Sequence, residues 1–270
     1  MSRLEEVLAD LRAEGDQLEA LVAGLEDGDT SGWRTPTPAA GWDVAHQIAH
    51  LAWTDESAVK AATDKEAWDA TVLAALDDPD GFVDVEAARG AAASRDELLQ
   101  RWRTARAELE KALRDYPDGE RIPWYGPPMS PTSMATARFM ETWAHGRDVA
   151  DALGVELPRT DRVRHVVHLG VRTRGFAFAG RGLEPPSEPI HVALVLPGGG
   201  VHEDGPADAA QSVRGSAYDF ALLVTQRINR ADTDLVAVGP DADRWLDIAQ
   251  AFAGPSGEGR PPRADRRDAR

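Results

Sequence analysis

The spacing of apolar residues through the first half of the chain is the feature that most limits the possible fold. Apolar side chains recur three or four positions apart from Leu4 to Leu25, and helical spacing returns in four later segments. Residues at this spacing share one face of an α-helix, whereas a half-buried strand needs alternation at every second residue. The first half therefore predicts a series of amphipathic helices.

Local start and stop signals set the limits of these helices. Asp43 can cap the second helix, and Ser94 followed by Glu97 is a capping-box pattern. Gly154 supplies a common C-terminal stop for the last one. The predicted helices are about 4–24, 44–62, 65–76, a long helix that Ser94 opens, and 133–153.

The pattern changes after Pro158, where strand-like segments enter. One more helix, about 161–178, leads to the strand "IHVALV", and the segment "RGSAYDFALLVTQRI" predicts a helix before a second strand and a final helix. We expect an α+β chain with a helical N-terminal domain, 1–158, and a small α/β C-terminal domain, 159–258. Residues 259–270 are predicted to be a disordered tail.

Composition excludes several classes of partner. The 270 residues carry a formal charge of −16, which argues against nucleic acid because phosphate binding needs a basic patch. No segment resembles a signal peptide or a membrane span, so we expect a cytoplasmic protein with no membrane partner. The chain has no cysteine, and any catalytic thiol would have to come from a small molecule.

The helix predicted at 133–153 carries a line of polar residues. Glu141 and His145 lie four positions apart, and Asp148 follows three positions later on the same face. These residues could form ordinary pairs on a solvated surface. They could also supply ligands to a metal, which would need a further histidine.

The second helix offers such histidines. His46, His50 and Trp53 share a face that is separate from the apolar face of the helix. A histidine pair of this kind can bind a metal, although it is also found on partly buried surfaces without one. Metal sites in helical bundles are built from inward side chains on facing helices. Three nitrogen or oxygen ligands with an open fourth position would suit a catalytic zinc or a similar divalent ion.

Two segments resemble a known family. "GWDVAHQIAHLAWTDE" and "ARFMETWAHGRDVADALG" are similar to metal-binding proteins related to mycothiol-dependent maleylpyruvate isomerase, which belong to the DinB-like four-helix bundle superfamily. The resemblance spans nearly the whole chain. It implies that the metal ligands are His50, eight residues after Trp42, together with Glu141 and His145.

The resemblance also implies a chemistry. A divalent metal, usually zinc, would bind a low-molecular-weight thiol such as mycothiol, whose thiolate attacks or is transferred to an electrophilic small molecule. The absence of cysteine is compatible with this transferase or isomerase chemistry. The segments "IPWYGPPMS" and "FAFAGRGLEPPSEP" resemble a subgroup known mainly for metal binding. The substrate, the choice among zinc, nickel, iron and manganese, and the choice between monomer and homodimer therefore stay open.

Two other classes of function remain. The metal could act as a Lewis acid or activate water without any thiol, as in an isomerase, lyase or hydrolase. The protein could instead bind metal without catalysis, if a side chain such as His46 or Asp148 blocked the fourth position. Otherwise these two residues are expected to lie behind the ligands and hold them in position.

The substrate or thiol is expected at the junction of the two domains, since ligand sites favour such junctions. Arg227, which ends "DFALLVTQR", could bind an anionic group or could merely cap its own helix. Trp124 and Tyr125 could line the pocket or hold their own loop in place. The full set of candidate substrate residues is Trp53, Trp124, Tyr125, Arg138 and Arg227.

Overall fold

The chain folds into two compact units that divide between Leu157 and Pro158. The computed structural model describes residues 2–27, 31–79, 81–254, 257 and 259–266. The first unit is helical and the second combines helices with a four-stranded sheet, which confirms the predicted α+β class.

Helices make up the regular structure of the N-terminal unit. They are α1 (Arg3–Val22), α2 (Val44–Thr63), α3 (Lys65–Asp77), α4 (Phe82–Ala91), α5 (Arg95–Asp115) and α6 (Pro131–Leu153). The capping predictions are confirmed, since Asp43 caps α2 and Ser94 forms a capping box with Glu97. Gly154 ends α6 in the left-handed conformation, with φ of 66°.

Helix α4 was not predicted from the sequence. Its first residue follows Gly81, which offers no capping side chain, and its small residues give a weak apolar pattern. Gly90 shows why small residues are needed there. A Cβ atom at Gly90 would lie 2.8 Å from the Cβ of Ala49 on α2, so the two helices pack closely.

The core of the N-terminal unit surrounds α2. Most of α2 is buried, including the polar residues Gln47, His50, Thr54 and Asp55. Buried polar groups are normally hydrogen-bonded, so these four residues have to find partners on neighbouring elements. The apolar residues of one core cluster come mainly from α1, α2 and α5 and include Leu18, Val22, Ile48, Leu51, Leu98 and Trp102.

The C-terminal unit contains a mixed sheet. Its strands lie in the order β2-β1-β3-β4, with β1 parallel to β3 and both outer pairs antiparallel. The strands are β1 (Ile190–Val195), β2 (Val201–Asp204), β3 (Gln211–Ser216) and β4 (Val236–Val238). The helices are α7 (Arg164–Arg172), α8 (Arg174–Gly180), α9 (Ala217–Val224), α10 (Pro240–Ile248) and α11 (Arg263–Arg266).

Two local predictions for this unit were wrong. The single helix expected at 161–178 is a 3₁₀ turn followed by α7 and α8, which meet at Thr173. The helix expected from Arg214 begins only at Ala217, because the preceding residues form β3 and pair with β1. Pairing with a distant strand leaves little trace in the local sequence.

The predicted disordered tail lies partly outside the described residues. Residues 263–266 form α11, whereas 267–270 are not described. None of the helices in the described part of the chain has the length and apolar character needed to cross a bilayer.

Candidate metal centre

Helices α2 and α6 bring together the three predicted ligands. Nε2 of His50 lies 3.4 Å from Oε2 of Glu141, and Nε2 of His145 lies 3.1 Å from the same oxygen. Glu141 and His145 are one turn apart on α6, whereas His50 reaches them from α2. Three potential ligand atoms therefore converge on one point inside the N-terminal unit.

Burial controls the protonation of this group. The pKa of His50 falls to about 4, first because burial disfavours its imidazolium and second because the His145 ring lies beside it. Burial works to raise the pKa of the Glu141 carboxyl, but hydrogen bonds with His145 and His50 outweigh it and hold that pKa well below its ordinary value. At neutral pH the group therefore contains a carboxylate beside a neutral His50 ring.

The three side chains fit a small divalent cation. Tetrahedral coordination with metal–ligand distances of about 2.0–2.1 Å separates neighbouring ligand atoms by about 3.3–3.4 Å. The contacts of 3.1 and 3.4 Å around Glu141 are close to this value, and the three ligand atoms lie within 4.8 Å of one another. Among the described residues this is the one group of three such side chains with metal-binding spacing.

The second nitrogen of each histidine has a different environment. Nδ1 of His145 lies 2.5 Å from Oε1 of Gln47, a fully buried residue of α2. Nδ1 of His50 is buried and has no hydrogen-bond partner within the described part of the chain. Of the two histidines, only His145 therefore has a polar side chain in contact with its Nδ1 among the described residues.

Trp42 covers the two histidines. Its ring centroid lies 5.3 Å from that of His50 and 6.0 Å from that of His145, with the second pair stacked. The indole Nε1 donates a 2.8 Å hydrogen bond to Asp84 on α4, which fixes the ring in place. Sequence reasoning used Trp42 only as a marker of spacing and missed this contact.

Three of the predicted substrate residues belong to an aromatic cluster beside the histidines. The Trp53 ring lies 6.0 Å from His50 and 6.4 Å from Tyr125. Trp124 stacks on Trp68 at 5.6 Å, and Tyr125 also contacts Phe82 on α4. The cluster therefore links the three candidate metal ligands to α3, to α4 and to the loop before α6.

The two residues predicted to support the ligands lie near the group in different settings. Nδ1 of His46 lies 2.7 Å from Oδ1 of its own helix cap, Asp43, which also pairs with Arg34. Asp148 is buried on α6, one turn after His145. Their roles toward a metal stay predictions. The residue that contacts Nδ1 of His145 is Gln47, which the sequence analysis did not single out although it precedes His50 by one turn.

The two arginines proposed for ligand binding already make contacts within their own units. Arg138 is buried on α6 and donates to Asp55 and to Thr54 on α2. In the C-terminal unit, Arg227 donates from Nη1 to the carbonyl of Thr225, the C-cap residue that follows α9, at 2.5 Å. This second contact is the one expected for a helix-capping role.

Comparison with known proteins identifies related sequences. Residues 11–150 match the family described as mycothiol maleylpyruvate isomerase N-terminal domain, a span that includes all three candidate ligands. Two uncharacterized proteins of Mycobacterium tuberculosis, from strains CDC 1551 / Oshkosh and ATCC 25618 / H37Rv, are each 56% identical over 253 residues. The matched region covers 94% of this chain and 97% of each relative.

Two solved structures share the fold. They are the mycothiol-dependent maleylpyruvate isomerase and a histidine-to-alanine mutant of it, with a TM-score of 0.57 in both cases. The alignments cover 88% of this chain and 95% of the solved chains, at 17% identity for the first and 16% for the mutant. At this identity the likeness concerns the fold and not the reaction.

Proposed function

Because the chain belongs to the family of the mycothiol maleylpyruvate isomerase N-terminal domain, we propose that it is a metal-dependent enzyme that uses a thiol. His50, Glu141 and His145 would hold one divalent ion, with zinc as the first candidate. The thiol would be mycothiol, and the reaction a transfer or isomerisation of a small electrophile. The observation that carries this proposal is the convergence of the three ligand atoms within 4.8 Å.

The charge of the ligand set favours a thiol as the fourth group. Two neutral imidazoles and one carboxylate leave a divalent ion with a net charge of about +1, which attracts an anionic sulfur. When bound, the ion would supply the positive charge that lowers the pKa of an incoming thiol. The chain has no cysteine of its own, so the sulfur would come from a small molecule.

The surrounding residues would protect such a reaction from water. Trp42 lies against both histidine rings, and Trp53 lies against His50. These indoles place apolar surface against the two histidine rings. A drier site strengthens the attraction between the metal charge and a thiolate.

The first experiment measures metal and thiol binding together. The protein is purified without an affinity tag, its metal content is determined by elemental mass spectrometry, and native mass spectrometry then follows the addition of mycothiol. We expect one equivalent of a divalent metal and one mycothiol per metal-loaded chain. Glutathione serves as the control, because it also carries a cysteine thiol but differs from mycothiol in the rest of the molecule.

Each outcome decides between the possible functions. Mycothiol binding that needs the metal, followed by consumption of the thiol with an aryl halide, would support the proposed chemistry. Metal-loaded protein that does not bind mycothiol would instead indicate Lewis-acid or metal-bound water chemistry without a thiol. Protein that binds no metal would overturn the proposal.

A further inference from the structure

Gln47 connects His145 to the segment that precedes α2. Its Oε1 lies 2.5 Å from Nδ1 of His145, and its Nε2 lies 2.8 Å from Oγ1 of Thr37. The Thr37 hydroxyl in turn lies 2.9 Å from the backbone carbonyl of Trp42. Four polar groups are thus joined in a single row, which we call the Gln47 relay.

The end of the relay fixes the direction of every hydrogen bond in it. The Trp42 carbonyl can only accept, so the single hydroxyl hydrogen of Thr37 points to it. Thr37 must then accept from the next group, and only the amide NH₂ of Gln47 can donate there. The amide oxygen of Gln47 consequently faces His145, and Nδ1 of that ring must carry a proton.

We propose that Gln47 is a positioning residue that holds His145 as its Nδ1–H tautomer. In this tautomer Nε2 presents its lone pair toward Oε2 of Glu141, 3.1 Å away. A hydrogen bond between these two atoms then needs a second proton on the ring, and a divalent cation can take the place of that proton. The relay therefore prepares the position for a metal. The inference rests on the proposed metal site.

The neutral amide of Gln47 also affects the net charge of the candidate metal site. Histidine ligands often donate their second N–H to a carboxylate, which makes the ligand more basic. Gln47 provides the same geometry without a negative charge, so a divalent ion keeps more of its positive charge for a thiolate. Gln47→Glu should therefore bind metal more tightly and bind a thiol less tightly than the wild type.

The first test needs no metal. Nitrogen-15 NMR of metal-free protein, recorded at a pH where the imidazoles are neutral, reports which nitrogen of His145 carries the proton. We expect the Nδ1–H form in the wild type and in Gln47→Glu, and a shift toward the Nε2–H form in Gln47→Leu. An Nε2–H form in the wild type, or an unchanged tautomer in Gln47→Leu, would overturn the proposal.

The second test measures zinc affinity by competition with a chromophoric chelator. Gln47→Leu should lose about 10- to 100-fold in affinity, whereas Gln47→Glu should bind zinc more tightly than the wild type. Thr37→Val breaks the relay one step further away and should also weaken binding. Thr136→Val is the matched control, because it removes a buried hydroxyl whose bond within the described part of the chain is to the Thr132 carbonyl of its own helix.

The two tests separate failure of the relay from failure of the proposed function. Wild-type protein that binds no zinc would reject the metal proposal, while the tautomer measurement would still decide the role of Gln47. Wild-type protein that binds zinc no better than Gln47→Leu and Thr37→Val would reject the relay and leave the metal proposal standing.

Discussion

Arg138 on α6 donates from Nε to Oδ1 of Asp55 on α2 at 2.8 Å, and the two side chains are only 2% and 3% exposed. Its Nη2 also donates to Thr54, whose hydroxyl donates to the backbone carbonyl of His50. Arg138 precedes Glu141 by one turn. The buried pair therefore joins the two helices that carry the candidate ligands, next to those ligands.

The first prediction is that removing one partner of the Arg138–Asp55 pair destabilises the protein more than removing both. Arg138→Met leaves the Asp55 carboxylate buried without its cation and should lower the free energy of unfolding by about 3–5 kcal/mol. Replacing both residues, with Arg138→Met and Asp55→Leu together, should recover most of that loss. Urea unfolding measures both changes, and an equal loss in the single and double variants would contradict the expectation.

A second buried pair on the same helix provides the control. Arg147 donates to Glu14 of α1 at 2.9 Å, and these side chains are also largely buried. Arg147→Met should destabilise the protein by a similar amount, but this pair does not join α6 to α2. Zinc affinity should therefore fall more in Arg138→Met than in Arg147→Met when both are measured in folded protein.

The second prediction concerns the metal content of variants at the three candidate ligands. His145→Ala should abolish stoichiometric metal, because it removes one of three ligands and the partner of Gln47. His46→Ala removes a histidine from the same neighbourhood whose Nδ1 contacts Asp43, and it should retain one equivalent. Elemental analysis of untagged protein compares the two. A full equivalent in the double variant His50→Ala, Glu141→Ala would show that the ligands are wrongly assigned.

The sequence was sufficient for features that depend on local spacing. Glu141 and His145 lie on one helical face because they are four residues apart, and Asp43 caps α2 because of its local sequence. The resemblance to a family supplied His50 as the third candidate ligand. The structure then brought the three side chains together.

Contacts between distant residues could not be predicted in this way. Gln47 contacts His145, which is 98 positions away in the sequence. No pattern within α2 distinguishes Gln47 from the other buried polar residues of that helix. Arg138 was interpreted as a candidate for ligand binding, yet its partner Asp55 is 83 positions away. The strand β3 was missed for the same reason, since it is defined by parallel pairing with β1.

Arg227 supplies the third prediction, which concerns the thiol. The sequence analysis predicts that its guanidinium binds an anionic group through two parallel hydrogen bonds, which lysine cannot reproduce. Arg227→Lys should then lower mycothiol affinity by about tenfold at full metal content, measured by calorimetry. The bond to the Thr225 carbonyl supports the alternative, a helix cap. Under that role Arg227→Lys, which keeps the charge, would leave both folding and mycothiol affinity unchanged.

The metal-free protein should become less stable as the pH falls, because His50 resists protonation in the folded state. Its folded pKa is about 4, whereas the unfolded side chain titrates near 6.5. Between these values the unfolded chain binds a proton that the folded chain does not, so stability rises with pH. The low pKa of Glu141 acts in the same direction at lower pH, where its protonation removes stability.

The size of this effect can be isolated with a variant. His50→Gln removes the titrating ring, together with its hydrogen bond to Glu141. Between about pH 7.5 and about pH 5, the wild type should lose about 2 kcal/mol more than His50→Gln, because the unfolded state gains a proton on His50 over this range. Urea unfolding of chelator-treated protein measures the difference. Parallel pH profiles would mean that His50 is not buried beside His145 in the metal-free chain.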